Sequence, residues 1–103
     1  NVIVGLNEYS SVGAARAVND LGLKGTVRMI GFDSSIKEVE YLEDGTFEAM
    51  VVQKPLNMGY LCVEKTAQLL EHEKIPAVVD SGTVLITKET MYTEENQKLL
   101  FPF

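Results

Sequence analysis

Short apolar runs alternate with amphipathic segments along the chain, and this pattern predicts a strand–helix order. Residues 2–6 form a β-branched run that predicts a strand buried on both faces. Asn7 and the residues after it provide turn and N-cap chemistry, and residues 11–21 have helical spacing. Gly22 is suited to end that helix because glycine readily adopts the left-handed conformation.

The same order is repeated in the next thirty or so residues. Residues 26–32 predict a second strand. Ser35 and Glu38 have the spacing of a capping box, which predicts a helix over residues 36–42. Asp44 and Gly45 are predicted to terminate this helix. Residues 47–52 predict a third strand.

The C-terminal half predicts one long helix, a strand and a short helix. The long helix is predicted to begin at Leu56 or Asn57 and to end near His72, and residues 83–87 predict a fourth strand. Residues 93–99 predict the short helix, and residues 99–103 an apolar strap lying on a surface. The predicted buried side of the long helix comprises Met58, Leu61, Cys62, Thr66, Leu69 and Leu70.

Strands and helices in alternation, with short connections, indicate an α/β fold with a parallel sheet of βα units. The composition, with 46% hydrophobic and 23% charged residues, is typical of a globular protein. A chain of 103 residues is sufficient for one small domain. Because it starts within a predicted strand, we expect it to be part of a longer protein, in which any targeting signal would lie upstream.

Charge and cysteine content narrow the classes of function. The net charge of −6 argues against nucleic acid as a partner, because phosphate binding requires a basic surface. One cysteine and one histidine cannot form an intrachain disulfide or a Cys/His zinc site, so no metal or other cofactor is predicted. Cys62 is expected to be inert core. The acidic residues of the second helix region are expected to form a solvated face: Glu38, Glu40, Glu43 and Asp44.

Three polar residues follow the first three predicted strands at intervals of about one βα unit. They are Asn7, Asp33 and Gln53. In an open parallel sheet, ligands bind beyond the carboxyl ends of the strands, so these side chains are predicted to share one crevice. A carboxylate can accept from two neighbouring hydroxyl groups, and each amide both donates and accepts. This set is suited to a polyhydroxylated small molecule.

A local structural role is the alternative for each of these residues. Asn, Asp and Ser are common after strands as turn formers and N-caps. Gln53 is the exception, because glutamine has little turn propensity and no local reason places it before Lys54 and Pro55.

Four motifs carry a resemblance to a known family. In order they are Asn7-Glu8-x-x-x-x-Gly13-Ala14-x-Arg16-Ala17, Ile30-Gly31-Phe32-Asp33, Glu43-Asp44-Gly45-Thr46-Phe47 and Val52-Gln53-Lys54-Pro55-x-x-Met58-Gly59-Tyr60. From Val2 to about Lys88 the chain resembles the C-terminal half of type I periplasmic sugar-binding proteins, the ribose-binding-protein class. Tyr9 departs from the family pattern, and we expect it to cap the helix rather than to flank a sugar.

The resemblance implies a two-lobed, hinged protein that closes on a monosaccharide. The residues matching Asn7, Asp33 and Gln53 would bind the sugar, and Gln53 would lie at a hinge crossing. Residues 1–53 would belong to the C-terminal lobe, and residues 54–80 would pack on the other lobe. Residues 81–103 would be the hinge-returning strand and tail.

This reading implies non-enzymatic sugar binding for ABC-type uptake or chemoreception. The partners would be a sugar and a membrane permease or receptor. The location would be periplasmic or extracellular, and a lipid anchor on the longer protein is one option. The effector domain of a lactose-repressor-type regulator, which would be cytoplasmic, is the alternative. A Rossmann-like enzyme is disfavoured, because no Gly-x-Gly-x-x-Gly run follows the first strand. The long helix and the strap of residues 99–103 would leave apolar surface uncovered, which predicts that this chain associates with copies of itself.

Overall fold

A computed structural model describes residues 1–102, and it confirms the α/β class. Phe103, the end of the predicted strap, lies outside the described residues. The chain divides into two compact units, one made of residues 1–52 with the segment from Val84 onward, the other of Gln53–Thr83. The elements are β1 Val2–Val4, α1 Glu8–Asp20, β2 Arg28–Phe32, α2 Ile36–Asp44, β3 Ala49–Gln53, α3 Pro55–Leu70, β4 Thr83–Thr87 and α4 Glu94–Leu100.

The four strands form one sheet in the order β1-β2-β3-β4. β1 and β2 are parallel, with Val4 opposite Ile30, and β2 and β3 are parallel, with Phe32 opposite Val51. Parallel pairing brings the carboxyl ends of neighbouring strands to the same edge of a sheet. The residues that follow β1 and β2 are therefore neighbours at that edge.

The core of the first unit is a continuous apolar cluster between the sheet and its helices. Its largest fully buried apolar side chains are Phe47, Met29, Leu42, Met50, Ile86 and Met91. Gly31 allows Phe47 to lie close against β2, because a Cβ at Gly31 would come within 2.6 Å of Cε2 of the Phe47 ring. This glycine therefore makes room for the largest fully buried side chain of the core.

Helix boundaries follow the predicted capping chemistry. α2 has the complete capping box, in which Ser35 Oγ accepts from the backbone N–H of Glu38 and the Glu38 side chain accepts from the backbone N–H of Ser35. Gly45 ends α2 with a φ of 86°. α1 begins at Glu8, earlier than predicted, because Asn7 is its N-cap.

The second unit contains α3 and the connector to β4. α3 begins at Pro55, in the first helical position, where the missing N–H of proline has no cost. The prediction of a buried side for α3 is wrong, since none of its residues is buried and Leu70 is 77% exposed. Cys62 is likewise exposed rather than core. The apolar side of α3 lines an open groove with Ile75, Pro76 and Val79 instead of packing under a second layer.

Two further predictions about apolar segments are wrong. β1 is not buried on both faces, since Val2 is 58% exposed and Val4 also lies open. The faces of a parallel strand are covered by helices or a second layer, and the described residues leave those of β1 open. In the predicted strap, Leu100 is buried as the last residue of α4, so helical packing replaces a surface strap at that point.

Candidate functional site

Asn7 and Asp33 lie at the carboxyl edge of the β1–β2 pair. Asn7 follows β1 and Asp33 follows β2 directly. Beyond β1 the ladder continues, because the N–H of Gly5 donates to the carbonyl of Ile30 at 2.9 Å. Pairing thus extends almost to both residues, and it brings these two predicted site residues to one edge.

Asn7 has a local role as the N-cap of α1. Its Oδ1 accepts from the backbone N–H of Ser10 at 2.9 Å and from the Ser10 hydroxyl at 2.9 Å. The side chain is exposed. Because both bonds use Oδ1, a ligand would be bound through the amide nitrogen Nδ2.

Asp33 occupies an uncommon backbone conformation at the end of β2. Its φ is 85°, in the left-handed region, and its N–H donates to the carbonyl of Val51 at 3.0 Å. Aspartate tolerates this region better than most residues, although a residue held in a sparsely populated region costs about 1–3 kcal/mol. Such conformations cluster at ligand sites, where the surrounding structure imposes them. The conformation therefore marks the turn after β2 as a candidate site.

A buried serine holds the chain immediately before Asp33. The backbone N–H of Phe32 donates to Ser11 Oγ at 3.2 Å, and Ser11 is fully buried. Gly5 makes this possible, because a Cβ there would overlap the Ser11 hydroxyl. Ser11 was not predicted from the sequence, where the only signal was a glycine within the apolar run of residues 2–6.

Glu38 is buried, so the prediction of a solvated acidic face is wrong at this position. Its Oε2 accepts from the backbone N–H of Ser35 at 3.1 Å and from the Ser35 hydroxyl at 3.2 Å. Burial raises the pKa of Glu38, the Ser35 hydrogen bonds oppose that effect, and the charges of Asp33 and Glu8 raise it further. Glu38 therefore lies within electrostatic reach of the Asp33 turn and of the residue after Asn7.

Gln53 is the last residue of β3 and is partly buried. It opens the second unit, two residues before α3 begins at Pro55. Tyr9 lies exposed in the first turn of α1, so the expectation that it caps this helix is wrong.

Neither metal clusters nor membrane-spanning helices are found in residues 1–102. Over that range, no group of three or more His, Cys, Asp or Glu side chains is arranged to hold a metal ion. None of the helices described there combines the length and the apolar character that crossing a bilayer demands.

Comparison with known proteins identifies the family. The family model of the periplasmic binding protein domain matches residues 1–74. The chain belongs to this family. The predicted resemblance to periplasmic sugar-binding proteins is thereby confirmed.

Several periplasmic binding proteins are similar to this chain. The ribose import binding protein of Escherichia coli (strain K12) is 30% identical over 83 residues, which are 81% of this chain and 28% of that protein. An ABC transporter solute-binding protein from Agrobacterium vitis, solved with bound D-fucose, is 36% identical with a TM-score of 0.84. That match covers 98% of this chain and 35% of the other. A sugar transporter from Clostridium phytofermentans is 54% identical with a TM-score of 0.66, over 84% of this chain and 30% of that one.

The chain spans about a third of the length of these periplasmic binding proteins. Each match covers most of this chain.

Proposed function

We propose that this chain is the C-terminal part of a periplasmic binding protein that captures a monosaccharide without chemical conversion. The longer protein is called the parent protein below. The observation that carries the proposal is the turn after β2, where Asp33 is held at a φ of 85° beside the end of β1 and Asn7. The names of the similar proteins, which include a ribose import protein and a protein solved with D-fucose, support a sugar as the ligand.

The proposed binding chemistry divides donors and acceptors among three residues. The Asp33 carboxylate accepts from two adjacent sugar hydroxyls, and charge-assisted hydrogen bonds of this kind are about twice as strong as neutral ones. Asn7 donates through Nδ2, because Oδ1 is used by the helix cap. Gln53 supplies an amide that donates and accepts at the end of β3.

The proposed parent protein has two lobes that close on the sugar. Residues 1–53 belong to one lobe, residues 54–80 pack on the other, and residues 81–103 return across the hinge. A second set of apolar α3 residues, outside the groove, supports this division, since Leu56, Val63 and Leu70 are exposed in the second unit. The sugar shifts an open–closed equilibrium by contacting both lobes in the closed state only.

The proposed context of the parent protein is uptake or chemoreception outside the cytoplasm. Its partners would be an ABC-type permease or a membrane receptor, and the loaded, closed form is the form they would recognise. Membership of the periplasmic binding protein family supports a periplasmic or extracellular location.

Replacing Asn7 with aspartate distinguishes its role as the N-cap of α1 from its proposed role in binding the sugar. Aspartate is as good an N-cap as asparagine, so the stability of the parent protein is expected to stay within about 0.5 kcal/mol of wild type. The variant lacks the Nδ2 donor and adds a negative charge near Asp33, so affinity for D-ribose or D-fucose is expected to fall at least about tenfold. Isothermal titration calorimetry and urea denaturation measure the two effects.

Alanine at the same position provides the matched control. Asn7→Ala removes cap and donor together, and it is expected to lose about 1 kcal/mol of stability as well as affinity. If Asn7→Asp binds sugar as tightly as wild type, Asn7 is only a helix cap. If the wild-type parent protein binds no monosaccharide at all, the proposed function is wrong.

A further inference from the structure

Glu38 is a buried carboxyl group in the first turn of α2. The residue is 0% exposed, and its Oε2 is engaged by the N–H and the hydroxyl of Ser35. The other oxygen, Oε1, is also buried and has no hydrogen-bond partner among residues 1–102. A capping box does not require this, because the glutamate of such a box can stand in solvent and glutamine serves equally well.

The charged groups around Glu38 make its ionised form unfavourable. Asp33 in the turn after β2 and Glu8 in α1 both act on it with negative charge. Lys37, the residue before Glu38 in α2, donates to Glu40 at 2.7 Å, and Arg16 of α1 acts on Lys37 as a like charge. Burial and these two carboxylates raise the pKa of Glu38 from its ordinary 4.5, against the opposing effect of Ser35.

We propose that Glu38 is a positioning residue of the sugar site, acting as a neutral carboxylic acid that holds Ser35 and leaves the negative charge of the turn to Asp33. The inference rests on the proposed function. Loss of the Glu38 proton adds a second negative charge within electrostatic reach of Asp33, on a buried carboxyl group whose Oε1 has no donor among residues 1–102. The repulsion between the two carboxylates acts on the turn that presents Asp33, and not on the capping box, because the Ser35 hydrogen bonds favour the ionised form of Glu38.

The pH dependence of this arrangement has a definite sign. A carboxyl group with a raised pKa in the folded state contributes stability that is complete below the unfolded value of 4.5. That contribution is lost as the pH rises through the folded-state pKa. If sugar binding needs the neutral form, affinity falls over the same interval. Glutamine at position 38 keeps the cap and carries no proton to lose.

The test compares sugar affinity over a pH series in the parent protein and its variants. D-ribose and D-fucose are titrated by calorimetry from about pH 4 to about pH 9. Wild type is expected to lose affinity about 5-fold or more across the Glu38 titration, and Glu38→Gln to keep the higher affinity throughout. The matched control is Glu40→Gln, which removes an exposed carboxylate of the same helix and is expected to follow the wild-type profile.

A second readout does not depend on the sugar. The amide resonance of Ser35 reports the Glu38 titration by NMR, and Asp33→Asn is expected to lower its apparent midpoint because one of the two negative charges is removed. An unshifted midpoint, or wild-type and Glu38→Gln affinity profiles that coincide, would overturn the proposal for Glu38. A parent protein that binds no sugar would refute the proposed function, while the Ser35 titration would still decide on Glu38.

Discussion

Asp33→Ala in the parent protein is expected to abolish measurable monosaccharide binding while leaving the fold intact. The carboxylate is the one proposed ligand contact that carries charge, and each hydrogen bond to a charged group contributes about 1.5–3 kcal/mol. Loss of two such bonds corresponds to a fall in affinity of at least about a hundredfold. Calorimetry with D-ribose and D-fucose measures this loss, and circular dichroism checks the fold.

Glycine and asparagine at position 33 separate the backbone effect from the ligand effect. Asp33 has a φ of 85°, a conformation that is unfavourable for alanine but open to glycine. Asp33→Gly is therefore expected to match or exceed wild-type stability and still fail to bind sugar. Asp33→Asn keeps the tolerance of the left-handed region and loses only the charge. Unchanged affinity in any of these variants would remove Asp33 from the site.

Phe47→Ala is expected to have the largest effect on stability. The ring is 1% exposed, contacts Tyr41 with a centroid distance of 5.6 Å, and lies against the glycine two residues before Asp33. Truncating a buried phenylalanine to alanine costs about 3–5 kcal/mol, which is a large share of the total stability of a small domain. Urea denaturation is expected to show a much lower midpoint or an unfolded protein.

Phe101→Ala is the matched control for this truncation. Phe101 is 42% exposed, so the same change is expected to cost about 1 kcal/mol or less. Equal losses in the two variants would contradict the placement of Phe47 at the centre of the core.

Local sequence signals predicted the elements whose ends are set by side-chain chemistry. Ser35 with Glu38 predicted the start of α2, and Gly45 its end, because a capping box and a left-handed glycine act within a few residues. β4 occurs at Thr83–Thr87, as predicted. The positions of Asn7 and Asp33 at neighbouring strand ends followed from the βα period and the parallel pairing.

Burial was predicted less well, because periodicity shows which side of an element is apolar and not what covers it. The apolar side of α3 and the faces of β1 were predicted to be buried, and both are open in this chain. Glu38 shows the opposite error, since its charge suggested exposure to solvent and the structure buries it. The capping-box spacing predicted that Glu38 bonds the backbone at Ser35. Only the three-dimensional structure shows that its Oε1 is buried without a hydrogen-bond partner among residues 1–102.

The site itself was predicted in residue type and not in conformation. No feature of the sequence indicates that Asp33 has a positive φ, because that angle is imposed by contacts such as Asp33 N–H to the Val51 carbonyl. Ser11 was missed for a similar reason, since its bond to Phe32 joins residues that are distant in sequence. The contribution of Gln53 to the same site stays a prediction.

The most direct measurement is a crystal structure of the parent protein with D-ribose or D-fucose bound. We predict that both carboxylate oxygens of Asp33 lie about 2.5–3.0 Å from sugar hydroxyl oxygens, and that Asn7 Nδ2 and the Gln53 amide bond the same molecule. A sugar held elsewhere, with the Asp33 carboxylate satisfied by protein groups alone, would contradict the account.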